Sequence, residues 1–401
     1  MNPSASDWIT KFVSHYQEEQ LIDNFPEQLH FYDELRASGF IYGVSLQSVL
    51  DEKISPLALT KDEYTKVNLF HALLHGYYQH QANATIDEAI KNIIEFYRAL
   101  DKGKTGFLKK LSFLQKPTHI LEQILASRLQ ETNNFAKKRM TSVFTYALLY
   151  VDVVAFRHWL EHPNAVKLYA NEIESTVIRC CFLALKSKAK KSKYDTLLIE
   201  LFENSSDYLL DDFQASNDLS LDKLHYLHMR TPLEKRFILD ICAIAVWEDK
   251  KLDIPEKQFL SKLNTVLELS EAHLQKSINH LSSFSEVHTK KISLFEYTTP
   301  VKHFYKQSSA MVKLLILRNR DRLLKELDES GELLLLLGQS AIRELTSEEK
   351  KRVKRQLLDV CKSIPSLAIF LLPGGAILLP IMVKLIPKLL PTAFDENRLE
   401  K

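Results

Sequence analysis

Residues 231–269 read TPLEKRFILDICAIAVWEDKKLDIPEKQFLSKLNTVLEL, and this stretch decides the fold class. Thr231 followed three residues later by Glu234 has the spacing of a capping box, in which hydroxyl and carboxylate satisfy each other's backbone N–H at a helix start. Pro232 comes directly after the cap, the helical position that tolerates proline best. Phe237, Ile241, Ile244 and Ala245 then share one face at helical period, and Phe259, Leu260, Leu263, Val266 and Leu267 line a second segment. Between the two, WEDKKLDIPE offers Asp253 as a cap and Pro255 in the next first turn. The stretch is predicted to be a helical hairpin.

The same start signal recurs at Thr60/Glu63, Thr85/Glu88 and Thr346/Glu349, ahead of apolar segments of helical period such as residues 67–79 and 86–100. Glycine points the same way. There are nine, and none lies between Gly106 and Gly331, a gap that disfavours the positive-φ turns of hairpins and sheets. The chain is therefore read as all-α and multi-helical, with a helical region over 1–165, a second over 166–298 and a third over 299–401. The EHPNA run around Pro163 marks the first boundary. The third region holds a charged helix over 308–329, a Leu-rich helix after Gly331, a basic helix after Thr346 and a hydrophobic terminus.

A net charge of +2 argues against a dedicated nucleic-acid binder, and no DNA partner is expected. Cys180, Cys181, Cys242 and Cys361 form no CxxC pair and no zinc spacing. They read as reduced core thiols, with neighbours Cys180 and Cys181 on different helix faces. The N-terminus lacks the basic and apolar regions of a secretory signal.

Residues 364–383, IPSLAIFLLPGGAILLPIMV, contain no charge over twenty residues. At ~1.5 Å per residue a helix of that length spans ~30 Å, the thickness of a hydrocarbon core. Prolines at 373, 380 and 387 fall seven apart, so their kinks lie along nearly one face of a curved or broken helix. Lys350, Lys351, Arg352, Lys354 and Arg355 precede the segment as a basic collar, and the positive-inside rule then places the bulk of the chain in the cytoplasm.

The string LLDVCKSIPSLAIFLLPGGAILLPIMVKLIPKLLPTAF, residues 357–394, resembles the signature of the LETM family (leucine zipper, EF-hand transmembrane proteins). Pro365, Pro373, Leu378, Leu379, Pro380, Lys384, Pro387, Leu390, Pro391 and Phe394 fall in matching register, with Phe370 and the Gly374–Gly375 pair inside the segment. The resemblance implies an inner-membrane location and partners among ribosomes or other membrane proteins. Family members thought to exchange cations for protons carry an acidic residue where Ala376 stands here. The exchanger role is accordingly only the alternative, since an ionisable group inside a membrane segment is the usual mark of an ion pathway. The hairpin of 231–269 is similar to TerB-like (tellurite-resistance) domains at Asp249, Leu252 and Glu256. The whole layout looks like bacterial LETM-related proteins linked by name to biofilm.

Other signals carry less. Glu248, Asp249, Asp253 and Glu256 would suit a divalent cation, but Lys250 and Lys251 sit among them and a capped turn explains the same residues. The run KSKAKKSK, residues 186–193, reads as a solvated connector. DKGKTGF around Gly103 lacks the upstream glycine and strand of a phosphate loop. His71 and His75, like His225 and His228, lack a zinc-binding context. No catalytic constellation, cofactor or metal stands out. The sequence is read as a non-enzymatic, membrane-associated tether or scaffold. A soluble interaction module that buries its own terminus is the further alternative, favoured if the helices of residues 310–345 cover that segment.

Overall fold

The computed structural model describes residues 1–15, 26–50, 59–102, 116–134, 147–191, 195–196, 199, 220–247, 252–288, 309, 312–313, 315–317, 319–364, 367 and 379–390. Helices α1 (Trp8–His15), α2 (Gln28–Ala37), α3 (Lys61–His80), α4 (Ile86–Leu100), α5 (Pro117–Asn134), α6 (Leu149–Glu161) and α7 (Val166–Ser187) come first. Helices α8 (Pro232–Val246), α9 (Ile254–Val266), α10 (Glu271–His288), α11 (Arg320–Glu329), α12 (Gly331–Ser340), α13 (Ser347–Ser363) and α14 (Leu379–Leu389) follow. No strand occurs among the described residues; the all-α class is as expected.

All four capping boxes expected from Thr/Glu spacing are made, at the starts of α3, α4, α8 and α13. A fifth starts α9, where Asp253 accepts from the Glu256 N–H and Glu256 accepts from the Asp253 N–H. Helix α1 is capped from a distance. The Glu122 carboxylate on α5 accepts from the N–H groups of Asp7 and Ile9 at 3.0 and 2.8 Å, serving donors at the helix start from another helix.

Two helices lie at the centre of the body. Every residue from Leu149 to Phe156 on α6 is buried, as is every residue from Phe237 to Val246 on α8. A helix apolar all round needs neighbours all round, and it has them: α6 packs on α3, α4 and α7, and α8 packs on α2, α7, α9 and α10. The 3₁₀ turn Pro163–Ala165 joins α6 to α7, which pack against each other across it. Aromatic contacts knit the two centres together, with Tyr150 on α6 4.9 Å from Phe237 on α8 and 5.4 Å from Tyr32 on α2.

Each central helix carries one buried aspartate in its apolar run, and each aspartate is fully partnered, as a charge out of water requires. Asp152 accepts from Arg128 Nε at 2.7 Å and Nη2 at 3.2 Å and from the Tyr97 hydroxyl at 3.3 Å, with Lys102 Nζ 3.7 Å away. Burial pushes its carboxyl pKa up, but Arg128 and Lys102 outweigh this and hold it below its ordinary value. Asp240 accepts from the Tyr32 hydroxyl at 2.7 Å, from Arg36 at 3.4 Å and from Ser277. Through Asp240, α2, α8 and α10 share one buried polar knot.

The charged helix expected over 308–329 is interrupted. Residues 315–317 are helical, Asn319 turns, and α11 begins at Arg320. The Asn319 side chain donates to the Leu315 carbonyl at 2.7 Å, competing with the helical ladder as asparagine does.

Candidate functional site

The C-terminal module is built on α12. Its sequence GELLLLLGQS buries Leu333, Leu334, Leu336 and Leu337, and both α13 and α14 pack against it, with α11 closing one side. Helix α13 contributes Val353, Leu357, Val360 and Cys361 to this core, where burial pushes the Cys361 thiol up to about 12. Helix α14 contributes Leu379, Pro380, Ile381, Met382, Val383 and Ile386. The Leu-rich helix therefore covers the described end of the apolar terminus. Such contacts make α14 part of a packed core, since a side chain of this size gains ~1.5–3 kcal/mol on burial.

Two of the prolines fall within α14. Pro380 lies in the first described turn of α14 and is buried there. Pro387 lies inside the helix, within its last turn, and the chain still closes with the Leu390 N–H donating to Ile386 at 2.9 Å. Lys384 and Lys388 project from the exposed side one turn apart. Pro365, Phe370, Pro373, Gly374, Gly375, Leu378, Pro391 and Phe394 lie outside the described residues, as does most of the segment 364–383. No helix among the described residues is long and apolar enough to cross a membrane.

The basic collar is the outer side of α13. Arg352 and Arg355 are exposed, and Lys350, Lys351 and Lys354 are half-buried. Part of its charge is answered locally: Arg352 meets Glu332 of α12 at 3.2 Å, and Gln356 donates to the same carboxylate at 2.6 Å. At the other end Arg343 grips Glu349 through two bonds, Nη2 to Oε1 at 2.6 Å and Nη1 to Oε2 at 2.8 Å. That fork and the Thr346 N–H hold the Glu349 carboxyl down to about 2. The helix remains cationic on balance, with six Lys and Arg against three Asp and Glu over residues 347–363.

The remaining candidates resolve into structural roles. Asp253 and Glu256 are engaged in their own capping box, and Glu248 and Asp249 lie outside the described residues. No cluster of three or more His, Cys, Asp or Glu side chains suited to a metal occurs among the described residues. His71 and His75 are buried against aromatic rings, His75 stacked on Phe31 at 4.0 Å. Within the lysine run, Lys188 is buried and paired with Asp195 at 3.0 Å, and Lys191 donates to the Lys188 carbonyl. Lys186, Lys190 and Lys191 are exposed, the last two beyond the end of α7 at Ser187, in keeping with a solvated connector; of the described lysines of the run Lys188 is the buried exception. Lys193 and the phosphate-loop-like residues 103–107 lie outside the described residues. Cys180 and Cys181 are both buried on α7 with Cys242 against both. Adjacent helical positions are only ~100° apart and fit one wide buried face.

What the sequence did not single out is a cluster on α2, α8 and α10. The Asp33 carboxylate there receives Arg36, Arg236 and Lys276. Its members are spread over some 240 positions of the chain, from Asp33 to Lys276, and the one local clue was Asp240, a lone acid in the apolar run FILDICAIAV.

Residues 345–401, which take in α13 and α14, match the family model described as LETM1-like, RBD, the abbreviation denoting a ribosome-binding domain. No curated protein and no solved structure matches the chain. The C-terminal module is thus LETM1-like over the very residues that carry the proline register and the basic helix.

Proposed function

We propose that this chain is a non-enzymatic adaptor that contacts the ribosome through its C-terminal module and uses the helical body of residues 1–288 as a scaffold. The observation that carries the reading is the match of residues 345–401 to a domain whose name denotes ribosome binding. The chemistry is compatible. Over those residues ten Lys and Arg stand against six Asp and Glu, although the whole chain is nearly neutral. A ribosome presents RNA phosphates, and a local cationic helix binds them with release of counterions. Lys351 and Arg355 lie one turn apart on α13 and are the pair assigned to this contact.

The test is co-sedimentation with purified ribosomes at ~0.1 M salt, comparing the wild type with a Lys351→Glu/Arg355→Glu variant of equal melting temperature. Wild-type protein in the ribosomal pellet and a variant left in the supernatant support the reading. Equal behaviour of the two overturns it.

A second reading is favoured by the twenty uncharged residues 364–383: attachment to the inner face of a bilayer. Removing the chain beyond Ser363 would also remove α14 from its core, so a point change is the cleaner probe. Leu371→Lys breaks the uncharged run, and an alkaline wash of membranes reads the result. Loss of the membrane-bound fraction in the variant supports attachment, whereas a wild type already found in the wash contradicts it.

A further inference from the structure

We propose that the corner formed by Arg36, Arg236 and Lys276 is a binding site for a phosphate monoester dianion, for which the Asp33 carboxylate acts as an internal competitor. Three cations from three helices converge there on one acid. Arg36 on α2 donates to Asp33 Oδ1 at 2.8 Å, Lys276 on α10 donates to Oδ2 at 2.5 Å, and Arg236 on α8 reaches Oδ1 at 3.4 Å and Oδ2 at 3.5 Å. Among the described residues the only other acid in the knot is Asp240, which Arg36 already shares at 3.4 Å. Three positive charges thus face two negative ones.

Arg236 is the poorly served member. A guanidinium and a carboxylate normally meet at ~2.7–2.9 Å, and both of its bonds to Asp33 are much longer than that. Its other fork nitrogen donates to His273 Nε2 at 3.0 Å, which makes that imidazole a neutral acceptor; His273 Nδ1 in turn faces the Ser270 hydroxyl at 2.7 Å. The field of the corner is visible in the same residue. Partial burial and then the charges of Arg236 and Lys276 push the His273 pKa below its ordinary value.

The corner is also reachable. The Lys276 side chain is 53% exposed and that of Asp33 is 19% exposed, whereas Arg36 is at 4% and holds the inner end fixed on Asp240. With Asp33 swung out, Arg36, Arg236 and Lys276 would face Asp240 alone, a surplus of two positive charges. A phosphate monoester brings close to two negative charges at neutral pH and three acceptor oxygens. A phosphodiester, as in a nucleic-acid backbone, brings one. The charge match selects the monoester.

The experiment uses the full chain and three probes at equal ionic strength: inorganic phosphate, dimethyl phosphate and chloride. Affinity is read by calorimetry and by the shift in melting temperature. The proposal predicts saturable binding of inorganic phosphate, no saturable binding of dimethyl phosphate or chloride, and about tenfold tighter phosphate binding by Asp33→Asn, which removes the competing charge. Lys276→Gln, a change at an exposed position, should weaken phosphate binding by about tenfold without lowering the melting temperature in chloride. If the three probes act alike on the wild type, or if Asp33→Asn binds phosphate no better, the cluster is only a structural lock and the proposal falls. Equal binding of the diester would instead refute the dianion assignment.

Discussion

Replacing Asp240 by asparagine tests how much of the body depends on one buried carboxylate. The side chain is 2% exposed and accepts from Tyr32, Arg36 and Ser277, which join α2 and α10 to α8. An asparagine keeps the shape and one carbonyl acceptor but removes the charge. Breaking a buried pair by removing one partner typically costs ~3–5 kcal/mol, because the other charge is left uncompensated. Here Arg36 keeps Asp33 at 2.8 Å, so the loss should fall at or just below the lower end of that range, at about 2–3 kcal/mol. Urea denaturation of wild type and variant, followed by circular dichroism, measures it as a shift in midpoint at unchanged slope. Arg36→Met in the Asp240→Asn background should recover part of the loss, since an apolar side chain needs no counter-charge. A single-variant loss below about 1 kcal/mol, or a double variant weaker by the sum of the two singles, would refute the reasoning.

Three further outcomes follow from the same geometry. Gly39 has φ +86°, and a Cβ there would lie 2.1 Å from the Val44 carbonyl oxygen and 2.7 Å from the Phe284 ring; Gly39→Ala should cost at least about 2 kcal/mol in urea denaturation, combining a left-handed backbone with overpacking. Ile386→Ala, in the α12–α14 core, should cost about 2–4 kcal/mol, while Leu335→Ala, at a residue of α12 that is 60% exposed, should change stability by less than about 0.5 kcal/mol; equal effects would mean that α14 does not pack on α12. The Glu349 carboxyl is depressed to about 2 from an ordinary value of 4.5, so its contribution is fully present above the ordinary value and is lost as pH falls from about 4.5 through about 2. A Glu349→Gln variant should accordingly show a shallower acid-induced loss of helix in that window than the wild type.

The fold was largely legible because its signals are local. A capping box needs four consecutive residues, and all those expected from Thr/Glu spacing start helices. The buried face of α9 follows the periodicity of its own sequence, whereas α8, read as having one apolar face, is buried all round from Phe237 to Val246. The interruption at Asn319 was not read because the apolar period continues through it and only a side-chain bond to Leu315 marks the break. The burial of Lys188 within the lysine run was missed for a different reason, as it depends on Asp195, beyond the run. The C-terminal site was legible as a pattern of prolines and charges. Its architecture was only half so, because that the Leu-rich α12 covers α14 is a tertiary fact for which the sequence offered an apolar run and two possible covers, lipid or protein. The Asp33 cluster, drawn from three distant helices, left no local trace beyond one acid in an apolar run.

The most direct test of the central claim is the salt dependence of ribosome binding by the full chain. Measured as affinity between ~50 and ~200 mM salt, contact through the α13 cations should give a log–log slope of a few units, and Lys351→Glu/Arg355→Glu should reduce that slope by about two, one for each lost phosphate contact. Binding that is indifferent to salt, or a slope unchanged by the substitutions, would contradict the assignment of α13 as the ribosome-facing element.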